Sequence, residues 1–166
     1  MQEEVKKSFA PIVNNNSNLL ILGSLPSDKS IAENEYYGNK TNQFWDIIRL
    51  VFGAKKIPFQ DYHEKIQFLE KYHIALWDVY AAAQRKGSLD SDIKQGTYND
   101  LKKFMKQYPN IKKILVNGKQ AEKAFEQYLK KEDIDYAYQY VPSSSSANRR
   151  YTVLEKVDYW KEAIFR

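Results

Sequence analysis

Short apolar runs alternate along this chain with longer segments whose apolar residues recur at helical spacing, and no other feature limits the fold as tightly. The run NLLILGS (18–24) is apolar at consecutive positions and ends at a glycine. A strand apolar on both faces needs cover on both, as in a parallel sheet flanked by helices. IALWDVY (74–80), KKILVNG (112–118) and AYQYVPS (137–143) read as three further strands. Between them, TNQFWDIIRLVFG places Phe44, Ile47, Ile48 and Val51 on one helical face, with Thr41 as expected N-cap and Gly53 as stop. YNDLKKFMKQYP (98–109) does the same through Leu101, Phe104, Met105 and Tyr108. KQAEKAFEQYLKKE follows the third strand. TVLEKVDYWKEAIF (152–165) closes the chain through Val153, Val157, Trp160 and Ile164. Strands alternating with helices predict an α/β fold whose parallel sheet is covered on both faces. A length of 166 residues suits a single domain over 1–166.

Composition narrows the chemistry. Aromatic residues make up 14%, too many for a disordered chain. No apolar run approaches the ~18 residues of a membrane span. The start MQEEVKKSFAPIV has no long apolar core and no small-residue cleavage site, so a cytoplasmic protein is expected. Cysteine is absent, which removes disulfides, thiolate nucleophiles and iron–sulfur clusters. His63 and His73 have no ligand-spaced partners, so neither a metal site nor a cofactor is expected. A net charge of +5 fits a nucleic-acid partner and equally a solvated basic surface.

In parallel α/β folds the ligand lies beyond the carboxyl ends of the strands. That rule selects GSLPSDKS, WDVYAAAQRKGSLDSD, VNGKQ and VPSSSSANRR. In GSLPS, Gly23 and Pro26 make a stiff turn and Ser24 and Ser27 add hydroxyls; it can present N–H groups to an anion or serve as an ordinary turn. In VPSSSSANRR, Ser143, Ser144, Ser145 and Ser146 cannot pack a core. They suit phosphate gripping, with Arg149 and Arg150 adding charge. Asn117 either supports its turn or reads the polar edge of a ligand. EYYGNKTNQFWDII (35–48) sets Tyr36 and Tyr37 ahead of a helix. One of them is expected in the core, and Tyr37 is placed to stack on a flat ring, with Asn42 at the first turn of the helix.

Taken in order, ILGSLPSDKS, YYGNKTNQFWDII, ALWDVYAAAQRKGSLDSDI, ILVNGKQA and VPSSSSANRRY resemble the uracil-DNA glycosylase superfamily, with the hypoxanthine-DNA (deoxyinosine) glycosylases as the nearest branch. The resemblance runs from about Leu19 to Trp160. It implies a three-layer α/β/α sandwich around a central four-stranded parallel sheet. It also implies a monofunctional, metal-independent enzyme that flips a damaged nucleotide from the duplex and hydrolyses its N-glycosidic bond. Damaged double-stranded DNA is the implied partner, with single strands left open and a monomer as the working unit.

The same resemblance implies residue roles. Asn42 takes the catalytic place, because Leu25 stands where other branches carry Asp or Asn. Tyr37 matches the aromatic that stacks on the flipped base. Gly23, Ser24, Phe44 and Asn117 are expected beside that base. Pro26, Ser27, Ser143, Ser144, Ser145, Ser146, Asn148 and Arg149 are expected on DNA. Departures from the branch pattern at Asn39, Lys40, Ser27 and Asn148-Arg149 bear on base preference. Asp28, Glu33, Glu35, Asp78 and Asp90 are the carboxylates that could approach the sugar. Uracil, mispaired thymine or xanthine as the base stays open on this reading. So do a DNA-binding module without turnover and an enzyme acting on free nucleotides.

Overall fold

The computed structural model describes residues 4–54, 58–85 and 94–166. Its centre is a four-stranded, all-parallel sheet of β2 (Leu19–Gly23), β3 (Ile74–Asp78), β6 (Lys113–Asn117) and β7 (Gln139–Val141), in the order β3-β2-β6-β7. Register runs Leu19 to Gly23 against Ile74 to Asp78 on one side and Leu19 to Leu22 against Lys113 to Val116 on the other. Alternate side chains of one strand enter different cores, as a pleat requires. Leu19 and Ile21 join Leu76, Leu115 and Trp160 on one face. Leu20 and Leu22 join Val116, Phe125 and Tyr128 on the other.

Helices cover both faces. α2 (Phe44–Val51), α3 (Tyr62–Lys71) and α6 (Val153–Phe165) close the first core with Phe44, Ile47, Ile48, Leu69 and Trp160. α4 (Leu101–Gln107) and α5 (Lys119–Glu132) close the second with Leu101, Phe104, Ala121, Phe125 and Tyr128. The result is the three-layer α/β/α sandwich. Each fully buried leucine, isoleucine or phenylalanine contributes about 1.5–3 kcal/mol, so two continuous apolar layers dominate the stability.

Three features differ from the sequence expectation. The second strand ends at Asp78, and the chain then turns into a separate antiparallel sheet of β1 (Glu4–Lys7), β4 (Tyr80–Arg85) and β5 (Lys94–Tyr98), in the order β1-β4-β5. WDVYAAAQRKGSLDSD is therefore largely strand, not loop, up to Arg85; its later part lies outside the described residues. The polar α1 (Asp28–Glu33) and α3 had no strong apolar face to announce them. α2 begins later than expected, with Gln43 rather than Thr41 at its cap position and no side-chain cap bond. Thr41 instead donates its hydroxyl to Asn39 Oδ1 at 2.9 Å, which removes it from the helix start.

Candidate active site

Beyond the carboxyl ends of β2, β3 and β6 lies a cleft of about 540 Å³. Its wall is assembled from the Gly23–Ser27 turn, the segment holding Tyr37, Asn39 and Asn42, Asp78, Asn117, and the serine loop from Ser143 to Asn148. The four loop clusters chosen from sequence thus contribute to one cavity, of the size that takes a small planar ligand.

Tyr37 adopts φ 53°, a left-handed conformation that costs energy in a non-glycine residue. The strain turns its ring flat against Phe44, with centroids 4.0 Å apart and planes 15° apart. Tyr37 lines the cleft and Phe44 does not: Phe44 is fully buried. Phe44 is therefore not a base contact. It forms the backing plate for Tyr37, and packs edge-on against Trp45 and Trp160. Tyr36 is the core tyrosine of the pair. Its hydroxyl donates to the Ala10 carbonyl at 2.9 Å, and its own carbonyl accepts from Trp45 Nε1 at 3.0 Å. Burial pushes the Tyr36 hydroxyl far above its usual range, and nearby Asp78 and Tyr37 push the same way.

Asn42 is half-buried and lines the cleft. A turn made by Asn39 presents it: the Asn39 Oδ1 accepts from Thr41 N–H at 3.1 Å, and the Asn39 carbonyl accepts from Asn42 N–H at 2.9 Å. Asn42 Oδ1 accepts from Phe44 N–H at 2.9 Å, at the start of α2. The amide is thus held by its oxygen, and this bond uses neither of its Nδ2 hydrogens.

Asn117 also lines the cleft, but its amide is committed to the protein. Nδ2 donates to Ser144 Oγ at 2.9 Å and to Tyr37 Oη at 3.2 Å, while Oδ1 accepts from Ser144 N–H at 2.9 Å. With both donors used, Asn117 fixes Tyr37 and the serine loop rather than reading a base edge. Ser144 is buried by the same contacts and anchors the loop. Ser143 Oγ accepts from Ser145 N–H, and Ser145 Oγ accepts from Ala147 N–H. In both bonds the hydroxyl oxygen accepts, so neither uses the hydroxyl hydrogen. Ser146 and Asn148 line the cleft as well, with Asn148 Nδ2 donating back to the Ser143 carbonyl. Trp160 Nε1 holds the base of the loop through the Pro142 carbonyl at 2.9 Å.

The first turn is similarly braced. Ser24 is buried at the cleft and Pro26 lines it. Ser27 lines it too, but its Oγ caps α1 by accepting from Ser30 N–H and donates to Ser30 Oγ, so it is structural. The buried Arg85 guanidinium of β4 donates to the carbonyl oxygens of Pro26 and Leu25. Leu25 itself is buried at the cleft and has no polar side-chain group to offer there.

Among the described carboxylates proposed from sequence, Asp78 alone lines the cleft. Asp28 pairs with Lys6 at 2.6 Å and Glu33 with Lys29 at 3.2 Å, both away from it; Asp90 lies outside the described residues. Asp78 is 4% exposed and accepts from Ser8 Oγ at 3.2 Å. A Cβ at Gly23 would stand 2.6 Å from Asp78 Oδ1 and 3.2 Å from Tyr37 Oη. That position is glycine because the carboxylate and the phenol crowd it. Arg149 is exposed and does not line the cavity.

Sequence reasoning noted Asn39 only as a departure from the branch pattern, selected Lys119 and Gln120 only within VNGKQ, and passed over Gln43 and Lys156. Lys119 and Gln120 line the cleft at the start of α5, and Lys119 followed a strand-ending VNG that could have flagged it. Lys156 is fully buried, and burial pushes its ammonium pKa down.

Comparison with known proteins identifies the family. The family model for the uracil DNA glycosylase superfamily matches residues 10–165. A protein of Methanosarcina acetivorans named hypoxanthine DNA glycosylase is 36% identical over 162 residues, covering 98% of this chain and 99% of that one. One of the same name from Methanosarcina barkeri is 35% identical over 161 residues, covering 97% and 99%. The solution NMR structure of a candidate uracil DNA glycosylase from Methanosarcina acetivorans superposes with a TM-score of 0.77 at 33% identity, covering 97% of this chain and 99% of that one. The chain belongs to the uracil DNA glycosylase superfamily.

Proposed function

We propose that this chain is a monofunctional DNA glycosylase that excises hypoxanthine from damaged duplex DNA by hydrolysing the N-glycosidic bond, the first step of base excision repair. The observation that carries the reading is the convergence of Tyr37, Asn42, Asp78 and the serine loop on one cleft. Full-length similarity to two proteins named hypoxanthine DNA glycosylase supports the choice of base.

The bond breaks through an oxocarbenium-like state, with negative charge growing on the departing base. A flipped purine stacks on Tyr37, worth about 1–3 kcal/mol. Asn42 Nδ2 donates to the base as it leaves, and the second lone pair of its Oδ1 orients the attacking water. Asp78 accepts from the lactam N1–H of hypoxanthine. Adenine presents an acceptor at the same place, so the carboxylate disfavours the undamaged purine. Ser143, Ser145 and Ser146 hold phosphates, and Arg149 adds a contact outside the cleft. The working unit in this reading is a monomer acting in the cytoplasm.

The test is a duplex oligonucleotide carrying one deoxyinosine, incubated with the protein and then treated with hot alkali. Strand cleavage at the inosine is expected, and an intact strand contradicts the reading. Parallel duplexes carrying uracil, a G·T mispair or xanthine rank the bases.

A further inference from the structure

Lys156 lies on α6 with no exposed surface. An ammonium is costly to bury unless hydrogen bonds satisfy it. Its Nζ donates to Gln43 Oε1 at 2.7 Å and to the Ser145 carbonyl at 3.1 Å. These two acceptors belong to segments far apart in sequence that meet beside the cleft. Gln43 follows Asn42 directly and stands at the entry of α2. Ser145 sits in the serine loop, whose residues line the cleft. A second tie runs beside the first, with Gln43 N–H donating to the Ser144 carbonyl at 2.8 Å. If packing were the only need, a methionine would fill the same space without the desolvation cost. The two hydrogen bonds are what the ammonium adds.

We propose that Lys156 is a positioning residue for base release: it fastens the serine loop to the entry of α2 and so fixes where the gripped phosphates stand relative to Asn42. The inference rests on the glycosylase reading of the cleft. Lys156 does not touch DNA, since none of its surface is exposed. Its effect is geometric, and misplacement by about 1 Å can cost on the order of 100-fold in rate.

The experiment compares the wild-type chain with Lys156→Met and Gln43→Leu under single turnover, with saturating protein on the deoxyinosine duplex. Each variant is expected to lose about 10- to 100-fold in the rate of base release. The double variant is expected to lose no more than the worse single one, because both break the same tie. The salt slope of DNA binding should stay at the wild-type value in Lys156→Met, whereas loss of a direct phosphate contact lowers it by about one. A wild-type rate in folded Lys156→Met, additive losses in the double variant, or a lowered salt slope would each overturn the proposal. If Lys156→Met does not fold, Gln43→Leu decides, and a wild-type rate there overturns it. Amide hydrogen exchange over residues 143–148 gives a readout independent of the reaction. Faster exchange in Lys156→Met is expected, and unchanged exchange refutes the tie. Failure of the glycosylase reading would instead leave deoxyinosine DNA intact with the wild-type protein.

Discussion

Gly23 is held to glycine by its neighbours, since any side chain there would press on the Asp78 carboxylate and the Tyr37 hydroxyl. Gly23→Ala is expected to fold, because the nearest atom is the end of a side chain. It should displace Asp78 and cut the rate of hypoxanthine release at least tenfold; a single-turnover assay checks this. Asp78→Ala should lose about 10- to 100-fold, the worth of a hydrogen bond to a charged acceptor (about 1.5–3 kcal/mol), with DNA affinity nearly unchanged. Much of this was legible at the level of single residues. Asn42 and Tyr37 stood out because a polar amide and a surplus aromatic preceded a clear helix. What Asn117 does was not legible. Its partners Tyr37 and Ser144 lie 80 and 27 residues away, and either an open or a committed amide fits the motif. Phe44 was expected beside the base on the resemblance alone, whereas the helical face it shares with Ile47, Ile48 and Val51 puts it in the core, where it is fully buried.

Element scale explains which parts of the fold could be read. β2, β3 and β6 are apolar on both faces because both faces are covered, and such runs stand out. β1, β4 and β5 form an antiparallel sheet of small and polar residues, whose pairing of Glu4–Lys7 with Arg85–Ala82 spans most of the chain's first half. No local pattern announces it, yet it supplies Arg85, which grips the Leu25 and Pro26 carbonyls. α6 carries both Trp160 and Lys156 and so sets the base of the serine loop. It begins with a capping box, in which the Thr152 hydroxyl accepts from Glu155 N–H at 3.2 Å and the Glu155 carboxylate accepts from Thr152 N–H at 3.0 Å. Thr152→Ala should cost about 1 kcal/mol of stability, read as a lower midpoint in urea with an unchanged slope. A midpoint equal to the wild type would remove the cap from the account.

For the whole molecule, the buried tyrosines make the fold sensitive to alkaline pH. Burial pushes the Tyr36, Tyr62 and Tyr128 hydroxyls up, so each ionises less readily folded than unfolded. Such groups contribute stability that is intact below the unfolded value of 10.0 and lost as pH rises beyond it. The urea midpoint should therefore hold to about pH 9 and fall above about pH 10, more shallowly in Tyr36→Phe. An identical fall in that variant would contradict the assignment.

The central claim is that one amide, held by its oxygen at the start of α2 in the lining of the cleft, carries base release. The most direct test is single-turnover release of hypoxanthine from a deoxyinosine duplex by Asn42→Ala. A loss of about 100- to 1,000-fold is predicted, as for removal of one transition-state donor, with DNA affinity within about threefold of wild type. Release at the wild-type rate would contradict the account.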